Sequence, residues 1–119
     1  MAITDTWYDT NKTVIVTTFG EHFTWEEHEA HLQHMWSMLD EVDHKVMGVL
    51  NYERLAEAPL HSLAHLPNCA GMLKHPNLEG YVVCGLSTRM GHALVDIFRR
   101  IYGRTYIEST LHDALNSLN

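Results

Sequence analysis

The sequence predicts a single-domain α/β fold: a mostly parallel five-stranded sheet opened by a β-hairpin, with about four helices. Three observations lead there. Short runs of β-branched and aromatic residues alternate along the chain with segments of helical periodicity. Two of the strand-like runs, Val46 to Leu50 and Tyr81 to Leu86, are apolar without alternation, as strands covered on both faces are. The 119 residues suit one domain, because a chain of this length buries roughly two-thirds of its unfolded surface. No internal repeat, low-complexity tract or linker divides residues 1–119.

The elements follow in order. Ile3, Trp7 and Tyr8 form one strand-like run and Thr13 to Phe19 the next. The polar tetrad Asp9-Thr10-Asn11-Lys12 between them reads as a hairpin turn, which makes the first strand the antiparallel edge. Thr24 is placed to cap a helix, and Glu27 three residues later completes a capping box. Phe23 and His28 hold the two positions of a hydrophobic staple. The helix is expected from about Trp25 to Val42, with Trp25, Leu32, Met35, Trp36, Leu39 and Val42 as its apolar stripe. Lys45 to Asn51 is the third strand, and Tyr52 to Asn77, with all three prolines, follows as a poorly patterned segment. A short helix opening at Leu66-Pro67-Asn68 fits there, since proline suits a first helical turn.

Leu78 to Gly85 is the fourth strand. Ser87 or Thr88 caps a helix carrying Ala93, Leu94, Ile97 and Phe98, which stops at Gly103. Thr105 to Glu108 is the last strand, and Ser109 or Thr110 caps a final helix with Leu111, Ala114, Leu115 and Leu118. Alternating strands and helices imply parallel pairing through crossovers.

Composition narrows function. Eight Lys plus Arg against fifteen Asp plus Glu leave a formal charge of −7 with ten histidines neutral. Such a balance argues against nucleic acid, which is bound by clustered cations on phosphates, and against anionic membrane surfaces. The longest apolar runs fall far short of the ~20 residues that span a bilayer, and Met1 to Asp5 has no signal-peptide pattern. A cytoplasmic protein without a membrane span is expected. Cys69 and Cys84 are too far apart for a C-x-x-C site, and Cys84, within an apolar run, reads as a small buried hydrophobe.

Two candidate sites emerge. On the first helix Glu27, His31 and His34 fall within roughly 60° of arc, so they can approach one metal ion. One helix face supplies only part of a coordination shell, and packing histidines are the simpler account, with His28 half-buried and hydrogen-bonded. At the strand–glycine–helix turn, Ser87, Thr88 and Arg89 can bind an anion through free helix N–H groups and a guanidinium. It is no Walker A loop, because five residues separate Gly85 from Gly91 and His92 stands in the lysine position. Nor is it a nucleophile elbow, because Arg89 replaces the second glycine of G-x-S-x-G. Capping alone explains these hydroxyls. Glu53, Arg54 and Glu57 follow the third strand, at the sheet edge where α/β proteins place ligands. No catalytic set is complete.

Several strings carry a family resemblance: Gly20 followed by Phe23-Thr24-Trp25, Val46 to Asn51, the Lys74-His75-Pro76-Asn77 turn, and Tyr106-Ile107 through Leu118. With the opening hairpin, they make the chain resemble the STAS-like (SpoIIAA-like, STAS/SEC14) family of small bacterial proteins, relatives of the sporulation anti-sigma-factor antagonist. The resemblance implies a β/α sheet with helices mainly to one side and a non-catalytic interaction or ligand-sensing role, without a cofactor. Its partner would be a protein or a small apolar ligand, and the N-terminal edge strand leaves a homodimer open. One family feature is missing. Regulatory members carry a phosphorylatable Asp-Ser-x-Gly turn where this chain has Tyr52-Glu53-Arg54-Leu55. The alternative function is a metal-binding protein or metal-dependent enzyme built on Glu27, His31 and His34.

Overall fold

The computed structural model describes residues 2–56, 74–86 and 105–118. The opening hairpin forms as the residue pattern requires. Strand β1 (Ile3–Trp7) pairs antiparallel with β2 (Val14–Phe19). Asp9 holds the turn, its carboxylate accepting the backbone N–H groups of Thr13 and Val14 at 2.9 and 3.1 Å and the Thr13 hydroxyl. Helix α1 (Trp25–Asp40) follows, then β3 (Val46–Asn51), β4 (Leu78–Cys84), β5 (Thr105–Glu108) and helix α2 (Leu111–Asn116). The sheet order is β1-β2-β3-β4-β5, with every pairing after the first parallel. The antiparallel first strand lies at the edge, as expected.

Two helices stand among the described residues, where the alternation implied about four. The expected helices after Pro67 and after Ser87 lie outside those residues. Helices α1 and α2 pack on opposite faces of the sheet. Alternation along the strands divides the core accordingly. Ile15, Phe19, Leu50, Tyr81 and Val83 meet Met35, Met38 and Leu39 of α1 on one side. Val16, Val49, Val82 and Cys84 meet Ala114 of α2 on the other. Val46 to Leu50 of β3 and Tyr81 to Cys84 of β4 are therefore covered on both faces, which is why these runs are apolar without alternation. Gly48 makes one approach possible: a Cβ there would lie 2.6 Å from Tyr81 Cε1 and 3.0 Å from Met35 Cε, so only glycine lets that ring lie across β3.

The capping box of α1 is present in both directions, Glu27 N–H donating to Thr24 Oγ1 at 3.1 Å and Thr24 N–H to Glu27 Oε1 at 2.9 Å. The staple forms too, with the Phe23 and His28 rings 5.8 Å apart. Two details of α1 differ from expectation. The helix ends at Asp40 rather than Val42, where the Asn77 amide donates to Leu39 O and Val42 O at 3.0 and 2.9 Å. The buried face is also displaced: His28, His31, Met35, Met38 and Leu39 are buried, whereas Trp36 is 38% exposed. At 100° per residue this face is turned about 50° from the stripe the apolar residues define. Histidines take the inward positions because the sheet and the loop aromatics offer them partners. No helix among the described residues is long and apolar enough to cross a membrane.

Candidate functional site

Asp5 organises the most polar region of the core. Strand alternation puts it on the same face as Ile3 and Trp7, and antiparallel register sets it directly opposite Thr17. Helix α1 passes over this pair and lowers His31 onto it. His31 Nδ1 lies 2.8 and 2.9 Å from the two Asp5 oxygens, and the Thr17 hydroxyl donates to Asp5 Oδ1 at 2.6 Å. Both the Asp5 and His31 side chains are 2% exposed. His34, on the outer side of the helix, brings its Nδ1 within 3.3 Å of Asp5 Oδ2.

A carboxylate only accepts, so His31 Nδ1 carries the hydrogen and donates it, leaving Nε2 as the other ring nitrogen. Burial alone would raise the Asp5 pKa. The His31 hydrogen bond and charge, then the Thr17 and His34 hydrogen bonds, together outweigh burial and hold it below the ordinary carboxylate value.

A pocket of about 150 Å³ opens beside this cluster, lined by Ala2, Ile3, Asp5, Glu27, Ala30, His31 and His34. The structure thus brings Glu27, His31 and His34 to one place, as their helical spacing predicted. It also commits their polar atoms elsewhere. Glu27 caps Thr24, and both imidazoles turn Nδ1 to Asp5. Among the described residues no group of three His, Cys, Asp or Glu side chains is placed to hold a metal ion. Ser87, Thr88 and Arg89 lie outside the described residues, as does Glu57.

Two further histidines are packing groups. His28 sits among Phe19, Phe23 and Trp25. His75 lies edge-on to Trp36 with ring centroids 4.5 Å apart, donates from Nε2 to Asp40 Oδ1 at 2.8 Å and accepts from Asn77 N–H at 3.1 Å. The Lys74-His75-Pro76-Asn77 turn therefore fastens the C-terminus of α1 to the start of β4.

On the opposite sheet face, beside α2, lies an open groove of about 390 Å³. Met47 and Leu118 supply apolar surface beside the buried Val82, Tyr106 an aromatic ring, and Glu79 and Glu108 carboxylates. Parallel register sets Tyr106 beside Val82 and Glu108 beside Cys84. Tyr106 is 60% exposed. Cys84 is a buried free thiol whose pKa is pushed up to about 12, by burial first and then by the charges of Glu53 and Glu108. It is a packing residue, as its apolar surroundings in the chain predicted, and its Sγ lies 3.8 Å from Asn51 Oδ1.

No family model and no curated protein matches this chain.

The sequence alone does not single out Asp5, Glu79, Tyr106 or Glu108, although several of them leave a signal there. An acidic residue at i+2 between Ile3 and Trp7 points inward on any half-buried strand and must find a buried partner. Tyr106 and Glu108 share a face by the same alternation. The missing information was which face α2 covers and how far.

Proposed function

We propose that the chain is a non-catalytic ligand-sensing module of the STAS-like kind, and that its ligand, a small molecule with an apolar body, docks in the groove beside α2. The observation that carries this reading is the groove itself. Its ~390 Å³ falls within the roughly 300–1,000 Å³ range of small-molecule sites. Its surface combines an apolar floor with a few polar groups, the composition such sites use to orient a ligand. The sheet order, with an antiparallel first strand and four parallel successors, supports the resemblance. The Tyr52–Leu55 turn has no serine or threonine, and its Leu55 N–H donates to Tyr52 O at 3.1 Å. Ligand occupancy rather than phosphorylation at that turn is the signal this reading assigns to the module.

The test is an amide chemical-shift titration of the full chain with octyl glucoside below its micelle concentration. Saturable shifts confined to Met47, Val82, Tyr106 and Leu118 are expected. Saturable shifts only around Ala2, Ala30 and His31, or none at all, would overturn the assignment to the groove.

A further inference from the structure

We infer that the groove ligand carries a cationic head: the geometry points to an amphipathic organic cation of the alkylammonium class. This rests on the reading of the groove as the ligand site and adds its charge selectivity. Two carboxylates, Glu79 and Glu108, line the groove, and among the described residues no Lys, Arg or His does. Neither carboxylate is in any ion pair found among the described residues. A pair of carboxylates without a cationic partner among the described residues, beside apolar side chains, attracts a cation whose chain can cover those side chains.

The aromatic residue adds a second, independent preference. Tyr106 presents an exposed ring on the same strand face as Glu108, two residues away. The negative face of an aromatic ring binds ammonium groups, and quaternary ammonium is the form that such rings select best. Gly80, paired with Met47, contributes backbone to the groove lining. The field of Glu108 reaches across this face, since it helps raise the pKa of the neighbouring Cys84 thiol. Throughout the chain the charge is −7, which steers cations toward the protein before they find the groove.

The experiment compares octyltrimethylammonium, octyl glucoside and octyl sulfate, each below its micelle concentration, by the same amide-shift titration at low and high salt. The expected result is saturable shifts at Val82, Tyr106 and Leu118, with the ammonium compound binding about tenfold tighter than the glucoside at low salt and losing that advantage at high salt. The double variant Glu79→Gln/Glu108→Gln should abolish the preference while leaving octyl glucoside binding unchanged. Tyr106→Leu should weaken ammonium binding by about three- to fivefold. Glu29→Gln, on the exposed face of α1, is the control for general attraction and should change nothing. Equal affinity for all three head groups within the groove, or a preference that survives the double variant, would overturn the cation inference and leave the groove reading standing. Absence of groove shifts with every compound would overturn both.

Discussion

Asp5→Ala tests the network that holds edge strand β1 beneath α1. The substitution removes the acceptor of two buried donors, the Thr17 hydroxyl and the His31 Nδ1–H, and water has little access to either. Removing one partner of a buried pair costs about 3–5 kcal/mol, because the other is left desolvated and unpaired. His34, with an imidazole 57% exposed, adds at most about 1 kcal/mol, as surface pairs do. A loss of about 3–5 kcal/mol is a large share of the roughly 5–15 kcal/mol that holds a domain together. At this chain length it corresponds to a fall in melting temperature of about 10–20 °C. Urea unfolding followed by far-ultraviolet circular dichroism measures it directly. Asp5→Asn keeps the shape and an acceptor oxygen, so it should recover part of the loss. The sign of the pH dependence follows from the lowered Asp5 pKa. The unfolded chain binds the proton first on acidification, so the contribution is fully present above the ordinary carboxylate value of 3.8 and disappears as pH falls through the lower folded value. The difference between wild type and Asp5→Asn should therefore shrink below that value. If Asp5→Ala costs less than about 1 kcal/mol, the cluster is solvated and the reasoning from burial is wrong.

Other expectations test the packing and the caps. Gly48→Ala forces a methyl into the Tyr81 ring and should destabilise by about 1–3 kcal/mol in the same assay, as overpacked cores do. Gly85→Ala should cost about as much, because Gly85 has φ +78° and a Cβ there would meet the Glu53 backbone. Asn77→Ala removes both hydrogen bonds that close the C-terminus of α1 and should cost about 1–3 kcal/mol. In a Cys69→Ser background, Cys84 should react with a thiol reagent at pH 8 only after unfolding; rapid labelling of the native chain would contradict its burial and raised pKa.

Features decided within one or two turns of chain were legible from residue order. The hairpin, the Thr24–Glu27 capping box, the Phe23–His28 staple and the five strands depend on neighbours a few positions apart. The helical arc joining Glu27, His31 and His34 was legible for the same reason, and all three do line one pocket. Whether they bind anything was not, since the carboxylate that engages both imidazoles comes from Asp5, 26 and 29 residues earlier. Likewise the end of α1 is set by Asn77, 38 residues beyond Leu39. The rotation of α1 that buries His28 and His31 and exposes Trp36 has the same origin. Local periodicity ranks side chains by hydrophobicity, but burial is decided by which partners the sheet register brings opposite them. A histidine with a carboxylate or an aromatic cluster facing it can take an inward place that hydrophobicity alone assigns to a tryptophan.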